Sequence, residues 1–300
     1  MRPPSLVVLD APSNLGLRPP GPGSVPGCYK QPWALRDRSL LGRLQAKDAG
    51  AVVPGRYQAA WRAGSGDRNA QAIAAFSRAL ANRVGRLLDD GHWPLVVGGD
   101  CSILLGNMLA LKHRGRYGLV FMDAHSDFRH PGNAPAVGAA AGEDLALVTG
   151  RGDPRLVDLD GLGPSLRDDD VVLVGIRPQD EDRAELKKLG IPVITSTSLR
   201  RTGIVATARR TLAHLGKRTQ GFWIHLDWDV VDRTEMPAAD CPEPNGLSFK
   251  ETAAFLRTLT RSPRCVGLEV TIYDPDLDPQ GMVAERIVAC LETVFHGTRS

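Results

Sequence analysis

Residues 120–128 read VFMDAHSDF. An apolar run, YGLVFM at 117–122, passes without a break into Asp123, His125 and Asp127. The run has the character of a buried strand, yet burying a carboxylate without a partner costs several kcal/mol. The stretch therefore demands a cation for its acids. Residues two apart in extended chain project to the same side, so these three side chains can converge at the strand's carboxyl end.

Seven other runs share that strand character: SLVVLD (5–10), AVV (51–53), PLVVGG (94–99), VVLVGI (171–176), IPVIT (191–195), GFWIHLD (221–227) and CVGLEV (265–270). Helical patterns lie between them. The clearest follows Asp67, where Ile73, Phe76, Leu80, Val84, Leu87 and Leu88 form one stripe ending at Gly91. Ser248 and Glu251 have capping-box spacing ahead of another apolar run. Alternation of this kind predicts an α/β fold, a three-layer αβα sandwich around a central, mostly parallel sheet of eight strands, in one domain over residues 1–300. RPPGPGSVPG (18–27) and HPGNAPAVGAAAGED (130–144) read as long loops, and loops of that length in a compact domain are often functional.

Composition narrows the function. With 42% hydrophobic residues, the 300-residue chain can bury a full core. Lys and Arg number 37 against 34 Asp and Glu, with no basic run to track phosphates, so nucleic acid is not an expected partner. No segment approaches the roughly 18 apolar residues of a membrane span, and the apolar run before Asp10 is too short for a signal sequence. A cytoplasmic protein is expected. The five cysteines are scattered, odd in number and without CxxC spacing, as reduced thiols would be.

In open parallel sheets ligands bind beyond the carboxyl ends of the strands, and there the unusual residues fall. GGDCS places Asp100 and Cys101 after one strand; HLDWDVVD places His225, Asp227 and Asp229 at the end of another. With Asp123, His125 and Asp127, two strand ends would aim four carboxylates and an imidazole at one point. Four anions share a small pocket only with cations between them. Oxygen-rich ligation with one or two nitrogens suits Mn²⁺ or Mg²⁺ better than Zn²⁺, and so many carboxylates suggest two ions about 3.5–4 Å apart.

GGDCS, DAHSD and HLDWDVVD resemble the three metal signatures of the ureohydrolase family, which includes arginase, agmatinase and formimidoylglutamase. The resemblance implies an arginase-like sheet, a centre of up to two Mn²⁺, and hydrolysis of a linear C–N bond in a guanidino or amidino substrate by metal-activated hydroxide. It implies that Asp123 and Asp227 bridge the ions, that Asp127 holds one of them, and that His125 and Asp229 hold the other. Relatives of this kind are commonly trimers or hexamers, so a homo-oligomer is expected.

Three departures qualify that resemblance. Cys101 stands where the family motif has a histidine; a thiol must lose its proton to bind a metal and suits hard Mn²⁺ poorly, and an inert buried thiol is the competing reading. Ile272, in GLEVTIYDP, stands where the family has a glutamate for the substrate guanidinium. The loop after DAHSD has Gly132–Asn133 but lacks the His-Gly pair whose histidine shuttles protons. These departures resemble the branch of Nω-hydroxy-L-arginine amidinohydrolases, whose less basic substrate would need no glutamate. His225 and His130 are candidate replacement shuttles beside Asp127, although His225 reads equally as support for a ligand and His130 as a solvated loop residue. Asn133, Glu243 and Ile272 are the candidate substrate contacts. A conventional arginase or agmatinase, and a silent metal-binding member of the family, are the alternative functions.

Overall fold

The computed structural model describes residues 4–134, 138–216 and 218–297. Its strands are β1 (Ser5–Ala11), β2 (Lys47–Ala51), β3 (His92–Gly98), β4 (Gly118–Met122), β5 (Val171–Gly175), β6 (Val193–Thr195), β7 (Phe222–Asp227) and β8 (Cys265–Thr271). They form one eight-stranded sheet in the order β2-β1-β3-β8-β7-β4-β5-β6. Every neighbouring pair is parallel, where a mostly parallel sheet was expected. Each strand returns to the sheet by a crossover, and crossovers of this length make parallel neighbours.

Alternation along the strands builds the two outer layers. Leu119 and Phe121 face the helices Ala70–Asp89 and Leu104–Lys112; Val120 and Met122 face Ile204–Leu215, Phe249–Thr260 and Met282–His296. All of β4 and β7 is buried, which is why their sequences read as continuous apolar runs rather than alternating ones. The helix after Asp67 spans Ala70–Asp89 and buries the expected stripe, with Leu87 and Leu88 only partly covered. The capping box is formed: Glu251 N donates to Ser248 Oγ at 3.1 Å, and Ser248 N donates to Glu251 Oε2 at 2.8 Å.

One strand lies elsewhere than its apolar signal. AVV at 51–53 was expected to pair, but β2 is Lys47–Ala51, and four of its five residues are exposed. An edge strand paired on one side needs no apolar alternation, so the sequence pattern does not mark it.

β3 and β4 are consecutive in sequence but stand apart in the sheet, with β8 and β7 between them. Connections that diverge in this way leave a crevice at the strands' carboxyl ends. Gly98 and Gly99 let β3 end tightly against the loop after β1: a Cβ on Gly99 would sit 1.7 Å from Ser13 O. Gly99→Ala should lower the unfolding free energy by about 3 kcal/mol or more, because backbone rather than a flexible side chain must give way; urea denaturation of the two proteins measures it.

Candidate metal centre and catalytic cavity

After Gly99 the chain turns on Asp100, whose carboxylate accepts from Ser102 N and Ser13 Oγ, each at 2.8 Å. The turn Cys101–Ile103 then buries Cys101. Its Sγ lies 3.0 Å from Asp227 Oδ2 and 3.2 Å from Thr271 Oγ1. The thiol thus faces the end of β7 across the end of β8.

Asp123, Asp227 and Asp229, at the ends of β4 and β7, are each held by a backbone N–H on one carboxylate oxygen. Asp123 Oδ1 accepts from His125 N and Asp227 Oδ1 from Asp229 N, both at 2.7 Å. Asp229 Oδ1 accepts from Ala124 N at 3.1 Å, and its Oδ2 lies 3.1 Å from His125 Nδ1. Asp123 Oδ2 is buried and has no hydrogen-bond partner among the described residues. Ligand atoms of Asp123, His125 and Asp229 all lie within 4.8 Å of one another; so do those of Cys101, Asp127 and Asp144, and those of Cys101, Asp123 and His225. An orphaned carboxylate oxygen inside an O, N and S donor set fits divalent metal ions.

Electrostatics supports the same conclusion. Burial, then the charge of Asp229, raises the Asp123 carboxyl to about 6. Burial and neighbouring carboxylates push Asp127, Asp144 and Asp227 well above the ordinary range. Burial also opposes ionisation of Asp229 and His125, but their mutual attraction prevails, lowering the one and raising the other. Without a cation the cluster must keep protons that a metal would displace.

A cavity of about 420 Å³ opens onto Cys101, His125, Asp127, Asp227 and Asp229, and onto Glu243 and Ile272 as expected. Ile272 holds φ at 72°, a left-handed conformation rare for a β-branched residue, while its N–H donates to Gly99 O at 2.7 Å. Asp127, also on the cavity, has φ 44°.

Other expected residues are not brought there. His130 Nε2 lies 3.1 Å from Glu185 Oε1, and Asn133 donates to Phe128 O at 3.0 Å and Glu185 Oε2 at 3.0 Å. Neither lines the cavity, because Asn133 Oδ1 also accepts from His130 N and folds the loop on itself. Residues 135–137 of that loop lie outside the described ones. His225 is fully buried behind Asp123 and does not line the cavity either. Register aligns Phe121, His225 and Glu269 across β4, β7 and β8. Phe121 stacks on the imidazole at 4.5 Å, Glu269 Oε1 lies 2.6 Å from Nδ1, and Asn107 donates to Glu269 Oε2. This leaves Nε2 without a hydrogen-bond partner among the described residues, 4.0 Å from Asp123 Oδ2.

Two site residues carried no signal of their own. Asp144 begins a short helix and is fully buried beside Asp127. Arg177, after β5, buries its guanidinium behind Asp229, donating to the carbonyls of Asp229, Gly175 and Pro244 at 3.0, 3.1 and 2.9 Å. An Arg directly following VVLVGI was the available hint for the second.

The Arginase family model matches residues 21–295. The chain is 30% identical to an arginase of Bacillus caldovelox over 272 residues, covering 88% of this chain and 91% of that one. It belongs to the arginase family. An arginase of Brevibacillus brevis is 33% identical over 218 residues, 72% of this chain and 73% of that one. The native crystal structure of the B. caldovelox arginase superimposes with a TM-score of 0.88 at 27% identity, covering 99% of this chain and 100% of that one. As an arginase-family protein this chain is a metal-dependent amidinohydrolase, acting on small guanidino substrates. No described helix is long and apolar enough to cross a membrane.

The raised Asp123 carboxyl makes the stability of the chelated protein depend on pH. The Asp123 carboxyl stands near 6 in the folded state against 3.8 ordinarily, so the fold holds the extra proton and loses stability as pH rises through that window. Differential scanning calorimetry in EDTA should show the melting temperature of Asp123→Asn gaining on wild type from pH 4 to 6. Saturating Mn²⁺ should reverse the order above pH 6, since the variant lacks the anion that the metal would bind.

Proposed function

We propose that the chain, as one domain over residues 1–300, hydrolyses a linear C–N bond of a guanidino or amidino substrate with up to two Mn²⁺ ions. Cys101, Asp123, His125, Asp127, Asp227 and Asp229 would hold them. The observation that carries this reading is Asp123 Oδ2, a buried carboxylate oxygen without a hydrogen-bond partner among the described residues, on a residue shared by two of the candidate donor groups. Divalent ions bound there lower the pKa of water and make hydroxide available near neutral pH. In keeping with the family resemblance, we also infer a homo-oligomer working in the cytoplasm.

The chain's own groups supply the rest. Asp127 lines the cavity, and its carboxyl is the group placed to take the proton released by attack and return it to the departing nitrogen. The loop wall presents Ala139, Ala141 and Gly142 to the cavity, none of which carries a proton. His130 lies outside the cavity and His225 is sealed behind Asp123, so Asp127 performs the transfer that neither histidine reaches. Arg177, its N–H groups committed to carbonyls, offsets the charge of Asp229 from behind.

Ile272 decides the substrate class. An apolar, buried side chain cannot neutralise a guanidinium, whereas a hydroxylated guanidine is less basic and enters uncharged. We infer an Nω-hydroxyarginine-like substrate. The relatives' names favour the second reading, arginine itself. Urea and hydroxyurea release from arginine, agmatine and Nω-hydroxyarginine by the Mn²⁺-loaded protein separates the two, and faster turnover of arginine would overturn the first. Ile272→Glu should shift relative kcat/KM toward arginine by about 5- to 150-fold, the worth of one paired charge of about 1–3 kcal/mol. An unchanged ratio would remove Ile272 from the recognition surface.

A further inference from the structure

We propose that Asp144 is a metal-binding residue, the carboxylate that completes a third-donor set with Cys101 and Asp127. The inference rests on the dinuclear reading above and adds to it a ligand from outside the three strand-end motifs.

Asp144 opens the helix Asp144–Val148, and that helix is tied to the acid cluster by Ala146 N donating to Asp127 O at 3.3 Å. The carboxylate is fully buried. Its Oδ1 accepts from Leu145 N at 2.7 Å, and its Oδ2 has no hydrogen-bond partner among the described residues. Helix capping does not account for that second oxygen, since Glu143 occupies the capping position and no side-chain cap bond forms. The largest charge effects on Asp144 come from Asp127, Asp123 and Glu269, every one an acid. A buried carboxyl placed among carboxyls, with one oxygen unpartnered among the described residues, is not explained by helix capping or an ion pair.

The spacing suits one ion. Ligand atoms of Cys101, Asp127 and Asp144 lie within 4.8 Å of one another, and donors sharing an ion at about 2.0–2.3 Å are separated by at most about 4.6 Å. The exchange of side chains is also coherent. A cysteine ends at Sγ, one bond short of the nearer imidazole nitrogen, so the ion loses reach on the β3 side and Asp144 supplies a donor from the facing helix. A thiolate beside two carboxylates makes this position softer than the one at His125, Asp123 and Asp229, so thiophilic divalent ions should prefer it.

Cobalt reports the two positions separately, because a thiolate bound to Co²⁺ adds a charge-transfer band in the near ultraviolet. The full-length chain, stripped with chelator, is titrated with Co²⁺ while calorimetry counts ions and absorbance follows the band; Cys101→Ser identifies the band's origin. Wild type should bind two ions, one of them with the band. Removal of groups that merely support a ligand typically weakens metal binding about 10–100-fold, so Asp144→Asn should weaken the banded ion at least about tenfold and leave the other unchanged. Equal affinity and an equal band in Asp144→Asn would overturn the role of Asp144 while leaving the dinuclear reading intact. A single ion with no band in wild type would overturn both. Melting in chelator guards against a folding artefact: Asp144→Asn should melt close to wild type, since the amide oxygen can still accept from Leu145 N, and a clearly lower melting temperature would assign Asp144 a structural role and overturn the proposal.

Discussion

Mutual repulsion among buried carboxylates is the constraint around which this molecule is arranged. Asp123, Asp127, Asp144, Asp227 and Asp229 sit at the carboxyl ends of adjacent strands or on the helix that closes over them, all but Asp127 fully buried. Among the cationic groups beside it, His125 pairs with Asp229, Arg177 has its donors taken by carbonyls, and Arg129 acts on Asp127. Such a cluster lowers the stability of the chain that contains it. The surrounding sheet, with apolar residues packed on both faces, supplies the stability that the site removes.

Preorganisation follows from the way each acid is held. Asp123 and Asp227 each give one oxygen to a backbone N–H two residues on, in the tight turns that follow β4 and β7. The remaining oxygens are thereby aimed inward without any choice of rotamer. Behind them, strand register aligns Phe121, His225 and Glu269, and Asn107 reaches Glu269 from the helix Leu104–Lys112. These contacts hold the imidazole beside Asp123. His225, which reads in sequence either as a proton shuttle or as support for a ligand, is buried here beside Asp123 and away from the cavity.

Membership in the arginase family accounts for the reaction class, and Cys101 and Ile272, two of the departures, line the cavity. In the proposed centre Cys101 would change the hardness of one donor. Ile272 removes a charge from the wall while keeping a backbone conformation that an isoleucine adopts only under constraint. The loop before Asp144 offers small residues to the cavity in place of a proton carrier. Of these changes, the one at Ile272 bears on the proposed substrate, since it leaves a guanidinium without a charge partner at that position.

Much of this was legible along the chain, because strand character and the two-residue spacing of acids are local properties. Seven of the eight strands follow apolar runs, and Asp123, His125, Asp127, Asp227 and Asp229 are marked by the abrupt passage from apolar to acidic residues. β2 was misplaced because an edge strand need not be apolar. Asp144 and Arg177 were not legible, since each lies beyond its motif in sequence and reaches the cluster only because β5 packs beside β4 and a helix folds back over Asp127. His130 and Asn133 show the converse, as nearness to Asp127 in sequence did not bring them to the cavity. The sequence by itself determined the strand-end chemistry, because side-chain alternation in extended chain is set by covalent geometry. Which distant groups meet that chemistry was decided by strand order and register, which depend on packing between segments far apart in the chain.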